Sequence, residues 1–407
     1  MNVSDPKSAS FPVPQKLYDR NFLIAFASQS FFVTANACMA HYGRWIEFLG
    51  GDELHVGLVM GAGPIASLLL RPWTGPWIDR VGARATQAIG YVCFMITVAS
   101  NLMLHDLGLP IYVMRAATAV SAALIFSSGI AYVTQTSPPT RRTEAIGTLG
   151  AGGFVGMIIG PFAGDLFLGA PVRTKGDFDL FFLAAVGSVV IALILLAFLR
   201  PTPVRASHSP IELREFVRVV RKYWPGPVLL VNVVFGLCMT IPFVFLAQYV
   251  DEIGIRRIGT FFIAYSAWGL CIRLGLRRLP EVWGRRPTLL FGLVCFGLGM
   301  FAFYLVDAKH PTWIIVPAVI CGTGHGLTFH TMVGLTLEPF PIEYHGTASV
   351  LALMHLDLGT VGGAPFLGAV ANKMGIHWIF AFVGLACFAV AGLYALACLG
   401  ERSRRPA

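Results

Sequence analysis

The chain has 407 residues, of which 56 % are hydrophobic and 13 % are charged, and its formal net charge is +9. A soluble globular domain carries about 25 % charged residues, so this composition excludes an ordinary soluble protein. The positive charge does not indicate nucleic-acid binding, because the basic residues fall in short stretches between apolar blocks and leave no free basic face. The composition therefore predicts a polytopic membrane protein in a lipid bilayer, with no nucleic-acid partner.

The N-terminal tail, residues 1–20, is polar and lacks the apolar core of a cleavable signal peptide. Apolar blocks of roughly 20 residues follow, the length at which a helix crosses a hydrocarbon core of about 30 Å. Six blocks fill residues 21–199, a polar linker occupies 200–225, six more fill 226–399, and a basic tail occupies 400–407. The predicted spans are 21–42, 55–78, 85–104, 110–135, 144–168, 178–199, 226–249, 257–279, 287–306, 311–336, 345–370 and 376–399.

The Lys and Arg residues are distributed unequally between the two sides of these spans. Most of the 30 fall in the tails and in the loops on the side of the termini. Because positively charged loops remain in the cytoplasm, we expect both termini on the cytoplasmic face of the cell membrane. Within the linker, the stretch ELREFVRVVRKY favours an amphipathic helix on the membrane surface, and a solvated linker fits it equally.

A charged loop recurs at the same place in both predicted halves. RPWTGPWIDRVGAR begins at Arg71 and RLGLRRLPEVWGRR begins at Arg273, and aligning these two arginines also aligns Asp79 with Glu281. Such a repeat predicts that a six-helix unit has been duplicated. Arg71 lies about two helical turns before Asp79, and the sequence leaves open whether the two side chains pair or stay separate.

The residue types in these loops have physical roles. Gly82 and Gly284 permit a tight turn with positive φ between two helices. Basic residues hold the loop in the cytoplasm, and Asp79 is expected to pair with an arginine or to cap a helix N-terminus. A purely local, turn-stabilising salt bridge is the alternative. The residues of the loop and its repeat are Gly75, Asp79, Arg80, Gly82, Arg84, Glu281, Gly284, Arg285 and Arg286.

These loops resemble the loop motif of the major facilitator superfamily, and the resemblance extends from about residue 20 to about residue 400. It implies an all-α membrane protein with twelve transmembrane helices in two pseudo-symmetric six-helix halves. It also implies that the loop residues act as a conformational latch, in which the Asp79 carboxylate helps to hold the two halves in one state.

The fifth span carries a stripe of glycines for close helix packing, at every fourth position: Gly152, Gly156, Gly160 and Gly164. Pro161 weakens the backbone hydrogen bonding there and favours a kink. The segment from Gly156 to Gly164 resembles the motif of the family's antiporters, although Asp165 stands where that motif ends in glycine. Span eleven repeats the segment, with Pro365 in the place of Pro161.

Charged groups inside a membrane helix are expensive, at about 2.5 kcal/mol or more at mid-depth, so they are expected to face an internal cavity. In the family fold the cavity is lined mainly by spans one, four, seven and ten. These spans supply the predicted substrate-cavity residues Gln29, Asn36, Arg115, Asn232, Thr240, His325 and His330. Arg115 also resembles an arginine of the family's exporters, although Thr118 and Ala119 replace the Gln and Gly that follow it there.

Span eleven adds His355 and Asp357. Asp357 is the first candidate for a proton-carrying carboxylate, because desolvation near mid-membrane favours the neutral acid. The alternative is that it only accepts hydrogen bonds from neighbouring helices. Arg115 and His355 are the other candidates for proton coupling. Asp165 and Asp307 are expected near helix ends, where water hydrates a charge.

The leading interpretation is a monomeric secondary transporter that exports a small organic molecule in exchange for protons by alternating access. Uptake of a sugar, organic acid or other metabolite by proton symport is the alternative. A metal or metallophore exporter and a non-transporting receptor are minor alternatives. The sequence contains no nucleophile elbow, P-loop or zinc-protease motif, and its eight cysteines lack metal-ligand spacing, so neither an enzyme, a cofactor nor a metal site is predicted.

Overall fold

The computed structural model describes residues 17–138, 141–201, 213–276, 278–341 and 344–403. Within these residues the regular structure is helical throughout. Eleven helices are long and apolar enough to cross a membrane. The chain is therefore an all-α, multi-pass membrane protein, as its composition predicts.

The first half contains six long helices. Helix α1 begins at Arg20 and ends at Cys38, and the chain continues through a 3-10 turn into a short helix, Tyr42–Phe48. The other five are α2 (Glu53–Val81), α3 (Ala83–Ala99), α4 (Leu109–Thr136), α5 (Arg142–Leu168) and α6 (Lys175–Ala197). Each of the six helices coincides with a predicted span. Helix α1 together with the short helix after it, and helix α2, extend beyond the predicted bounds because the polar residues at their ends are also helical.

The second half repeats this arrangement. Helix α7 (Val228–Thr240) continues through a π-helical turn into the short helix Leu246–Glu252. The others are α8 (Gly259–Gly275), α9 (Arg285–Ala302), α10 (Ile315–Leu337), α11 (His345–Met374) and α12 (His377–Ser403). The eleven candidate spans, some of which include the turns that adjoin a helix, have 21 to 29 residues, whereas α8 has 17. It occupies the place of the eighth predicted span, so the twelve predicted spans correspond to α1–α12.

Successive long helices run in opposite directions, so α1 begins and α12 ends at the same end of the bundle. We call this the terminal end and the opposite one the far end. The two halves pack against each other through α2 with α11 and through α5 with α8. Helix α8 is the repeat counterpart of α2, and α11 is that of α5, so the two contacts are equivalent. The duplication predicted from the charged loops is therefore also present in the packing.

The glycine stripe of α5 faces α1. A Cβ atom on Gly160 would lie 2.4 Å from the carbonyl oxygen of Thr34, and one on Gly156 would lie 2.7 Å from the backbone nitrogen of the same residue. On Gly164, it would lie 2.3 Å from the His41 ring. Only glycine allows the two helices to approach so closely, which is the packing that the four-residue spacing predicts.

The linker between the halves contains a helix at Leu213–Lys222. Its apolar residues Val219 and Val220 are buried in a small cluster with Phe340 and Leu351 of the second half. The amphipathic helix predicted for this stretch is therefore present. These two valines are covered by protein, because the ends of α10 and α11 supply an apolar surface at the terminal end, while Val217 of the same helix is exposed.

Candidate functional site

The repeated loops connect α2 to α3 and α8 to α9 at the terminal end. Gly82 and Gly284 adopt positive φ values of 90° and 95°, the conformation that the predicted tight turns allow. Four other residues of the motif are exposed: Gly75, Arg80, Glu281 and Arg285. The side chain of Asp79 lies outside the described part of the structure, so its role as a latch stays a prediction.

The basic side chains of these loops contact residues of their own halves. Arg84 donates from Nη2 to the carbonyl oxygen of Ala197 at 2.8 Å. Arg285 lies with Nη1 3.7 Å from the Glu338 carboxylate, and both side chains are exposed. Such an exposed pair contributes little to stability. Arg286 follows in the first turn of α9. The contacts of Arg84 and Arg285 therefore brace each half separately.

A buried ion pair joins the two halves where α2 packs on α11. Arg71 donates from Nε to Oδ2 of Asp357 at 2.6 Å, and the exposed fractions of the two side chains are 15 % and 11 %. Asp357 lies near the middle of α11. The partner of Arg71 is thus a carboxylate in the other half of the chain. The predicted proton-carrying residue is held by a direct, charge-assisted hydrogen bond.

Arg273, the repeat counterpart of Arg71, lies where α5 packs on α8. Its Nη2 donates to the carbonyl oxygen of Gly147 at 3.4 Å, and its guanidinium lies over Gly150. Among the described residues, no carboxylate lies within ion-pair distance of it. One contact between the halves therefore holds a paired charge, and the equivalent contact holds an unpaired cation.

A second group of charges lies at the far end. Arg44, which follows α1, binds Asp251 with two parallel hydrogen bonds, from Nε to Oδ2 at 2.9 Å and from Nη2 to Oδ1 at 2.7 Å. Arg173 donates to the same carboxylate at 2.8 Å. The Arg44 side chain is fully buried, and this forked geometry is the strong form of an ion pair. Two arginines of the first half thus hold one aspartate of the second.

Asp165 is part of the same group. Its carboxylate accepts hydrogen bonds from the backbone nitrogens of Ile258 at 3.1 Å and Gly259 at 2.6 Å, and so caps the N-terminus of α8. The expectation that water hydrates this residue is wrong, because it is 8 % exposed. Asp307, in contrast, is exposed in a loop, as expected.

His41 connects α1 to α5 inside this group. Its Nδ1 accepts from Nη1 of Arg44 at 2.7 Å, because a guanidinium can only donate. Its Nε2 therefore carries the hydrogen and donates to the carbonyl oxygen of Pro161 at 3.0 Å. Both ring nitrogens are used by the neutral form. We call His41, Arg44, Asp165, Arg173 and Asp251 the far-end cluster.

His325 of α10 lies at the centre of a group of aromatic rings. Its Nδ1 is 2.5 Å from the hydroxyl of Tyr265. Four rings have centroids between 5.4 and 5.9 Å from its own, and they belong to Phe154, Phe235, Tyr265 and Phe329. The imidazole remains partly exposed within this group, which we call the His325 cluster.

Three of the predicted cavity residues lie inside their own half instead. Gln29 accepts from Nε2 of Gln87 on α3, and Asn232 donates to the Thr336 hydroxyl on α10. Thr240 is buried and donates to a backbone carbonyl of its own helix. The partners of Gln29 and Asn232 come from neighbouring helices of the same six-helix unit. The buried Oδ1 of Asn232 has no hydrogen-bond partner among the described residues. Asn36 and His330 retain exposed surface.

The remaining coupling candidates lie apart from Asp357. The Arg115 guanidinium lies 5.6 Å from the ring centroid of Tyr42, and its buried Nε has no hydrogen-bond partner among the described residues. His355 donates from Nδ1 to the carbonyl oxygen of Leu351, one turn earlier on α11, at 2.9 Å. In the described residues, no three His, Cys, Asp or Glu side chains come together as a metal site requires.

The sequence profile of the Major Facilitator Superfamily matches residues 21–364 and 276–407. These segments together cover both halves and all of the sites above. The chain belongs to the Major Facilitator Superfamily. It is therefore a membrane transporter by family, not an enzyme, and the resemblance inferred from its loops is confirmed.

Relatives within the superfamily cover most of the chain. The MFS-type transporter YhhS of Escherichia coli is 25 % identical over 87 % of this chain and 84 % of its own length. The class B tetracycline resistance protein of Escherichia coli is 21 % identical over 84 % of this chain and 86 % of its own. The structure of a POT family transporter in complex with a thioalcohol-conjugated peptide superposes with a TM-score of 0.77, at 15 % identity over 97 % of this chain and 99 % of that one. Both predicted halves thus have counterparts in superfamily members.

The far-end cluster of this superfamily member contains residues that sequence reasoning missed. Arg44 and Asp251 lie at the ends of predicted spans, where a charge needs no special explanation. Their pairing joins residues more than 200 positions apart, which no local pattern reveals. The available signal was that Arg44, Asp165, Arg173 and Asp251 all lie at the same end of their spans.

Proposed function

We propose that the chain is a proton-coupled exporter of a small organic molecule, working by alternating access as a monomer in the cell membrane with both termini in the cytoplasm. Export is supported by the tetracycline-resistance relative and by the segment from Gly156 to Gly164, which resembles the antiporter motif. The orientation is supported by the excess of Lys and Arg on the side of the termini.

The observation that carries the proposal is the buried Arg71–Asp357 pair between the two halves. A proton bound by Asp357 would remove the negative charge that holds Arg71, and the contact between α2 and α11 would weaken. The proton would thereby change the relative stability of the two conformations of the carrier, as coupling between proton and conformation requires.

The far-end cluster fits the same cycle. In the proposed orientation it lies on the outer side, where Asp251 is bound by Arg44 and Arg173 of the other half. These bonds must break when the carrier opens outward, and they are available again when it closes. His41, which links Arg44 to α5, extends this closure to a third helix.

The test is proton movement in proteoliposomes that contain a pH-sensitive dye in their lumen. The vesicles are challenged with a panel of cationic drugs, sugars, organic acids and metal chelates. We expect at least one substrate to trigger proton movement, and we expect this movement to be lost in Asp357→Asn. Asp307→Asn, which removes an exposed carboxylate outside the spans, is the matched control and should leave it unchanged.

The direction of proton movement separates antiport from symport once the vesicle orientation is known. Movement that survives Asp357→Asn would contradict the coupling role of Asp357 and retain the carrier. Substrate movement without protons would contradict proton coupling. If no compound of the panel produced movement, transport of these four classes of compound would be contradicted and a receptor would be favoured.

A further inference from the structure

Arg273 is a cation whose hydrogen bonds are almost entirely unused. Its single hydrogen bond in the described structure is the long one, 3.4 Å, to the carbonyl oxygen of Gly147. The guanidinium lies over Gly150, where an added Cβ would be 3.2 Å from both Nη atoms. An arginine has several N–H donors and cannot lose its charge in a protein, so most of its binding capacity remains free.

The internal repeat shows that the arginine equivalent to Arg273 is neutralised by a carboxylate. Arg71, at the equivalent position, binds Asp357. When Pro161 is aligned with Pro365, the residue that corresponds to Asp357 is Gly153. The chain therefore places a carboxylate beside Arg71 and, among the described residues, none beside Arg273. Arg273 lies in the last turn of α8 and is only partly buried, and no carboxylate among the described residues neutralises its charge.

The His325 cluster lies directly beside this cation. Phe154 is one helical turn from Gly150 on α5, and Arg273 is one turn from Gly269 on α8. The ring of Phe154 would be 3.2 Å from a Cβ on Gly269, so the two helices touch at that level. The unpaired charge and the aromatic rings are thus adjacent layers of the same contact, and the rings come from both halves of the carrier.

Building on the proposed transport function, we propose that the substrate is an aromatic organic anion whose acidic group pairs with Arg273 and whose ring packs on the His325 cluster. A carboxylate matches the forked geometry of a guanidinium. Aromatic faces provide apolar contact for a planar ring, and edge-to-face or offset contacts with the cluster add to it. A cationic ligand would meet the uncompensated charge of Arg273 and be repelled.

Binding to the purified full-length protein in lipid nanodiscs tests this class directly. The probes are benzoate, 2-naphthoate and indole-3-acetate, with 2-naphthalenemethanol and 2-naphthylmethylamine as neutral and cationic counterparts of the second acid. We expect at least one acid to bind, and for 2-naphthoate at least tenfold tighter binding than its alcohol, with the amine weaker still. Isothermal titration calorimetry measures these affinities.

Variants then assign the binding to Arg273. Arg273→Gln should lower the affinity for the acid to that of the alcohol, whereas Arg273→Lys should retain part of it. Arg218→Gln, at an exposed position of the linker helix, is the control and should change nothing. Gly153→Asp should also weaken acid binding at least tenfold, because the introduced carboxylate would pair with Arg273 in place of the ligand. A Cβ at Gly153 meets no atom within 4 Å, so this variant keeps the site and the fold. Phe154→Leu should weaken the acid and the alcohol alike.

Equal affinity for acid and amine, failure of all three acids to bind, or an unchanged affinity in Gly153→Asp would overturn this inference. The proteoliposome assay distinguishes failure of this inference from failure of the proposed function. Proton-coupled movement of other substrates without any binding of the acids would retain transport and reject the aromatic anion. Binding of the acids without flux would retain the anion site and reject transport.

Discussion

The two contacts between the halves have the same architecture and opposite chemistry. Where α2 packs on α11, Arg71 is neutralised by Asp357. Where α5 packs on α8, the one hydrogen-bond partner of Arg273 among the described residues is a backbone carbonyl. The internal repeat places an arginine at both contacts, and in the described residues only Arg71 has a carboxylate beside it. The difference teaches that repeated helix packing does not repeat the charge balance: one arginine is neutralised across the contact, and the other keeps an unbalanced charge.

The far ends of the same two contacts also differ. The N-terminus of α8 is capped across the halves by Asp165, which is buried. The N-terminus of α2 is capped locally by its own Asp52, which accepts from the His55 backbone and also receives a hydrogen bond from Asn372 of the other half at 2.8 Å. Closure of the far end therefore depends more on α5–α8 than on α2–α11.

The largest effect on stability is expected from Asp357→Ala. The substitution leaves Arg71 buried without a counter-charge, so the free energy of unfolding should fall by about 3 kcal/mol. Titration with SDS in mild detergent measures this loss. In the double variant Arg71→Met, Asp357→Leu no charge remains unpaired, and most of the stability should return. An equally unstable double variant would contradict the electrostatic explanation.

Asp165→Ala should lower the free energy of unfolding by about 2 kcal/mol, because two backbone N–H groups at the start of α8 lose a charged acceptor. Asn372→Ala is the matched change at the other contact. Its hydrogen bond is exposed and Asp52 keeps its local cap, so the loss should stay below about 0.5 kcal/mol. Similar losses in the same unfolding assay would show that the two far ends do not differ.

Arg273→Met should act in the opposite direction from Arg71→Met. Removal of a partly buried cation that has no counter-charge should raise the free energy of unfolding by up to about 1 kcal/mol, while the loss of Arg71 leaves Asp357 unpaired and lowers it. Functional residues often carry such a cost in stability. If both variants were destabilised equally, Arg273 would have a structural partner, and the contrast between the contacts would be lost.

The smallest effect concerns the local cap of α2. The backbone N–H of His55 binds the Asp52 carboxylate and lowers its pKa below the ordinary value. The stabilisation is therefore complete above the ordinary Asp pKa of about 3.9 and is lost as the pH falls through the lower folded value. Because the side chain is largely exposed, the change should be a few tenths of a kcal/mol. Unfolding measured between about pH 5 and pH 3 should vary less in Asp52→Asn than in the unaltered protein.

The sequence by itself determined the twelve spans, the repeat and the glycine turns. In the bilayer a segment must hydrogen-bond its own backbone N–H and C=O groups, so a spanning segment is a helix. Its length and hydropathy are then enough to identify it. The conformations of Gly82 and Gly284 are local properties, and the spacing of Gly156, Gly160 and Gly164 already specifies a smooth helix face. The charged loop at Arg71 and Arg273 identified the duplication, because equivalent positions keep equivalent residue types.

Only the tertiary structure decided which polar groups meet. The partner of Arg71 is Asp357, 286 positions away, and no periodicity connects them. Gln29 and Asn232 were expected in the cavity, and each instead hydrogen-bonds to a neighbouring helix of its own half. Asp165 caps α8 although the sequence favoured a hydrated position. The energy of a buried polar group depends on the partner that packing brings within hydrogen-bond distance, and that partner is a property of the folded bundle.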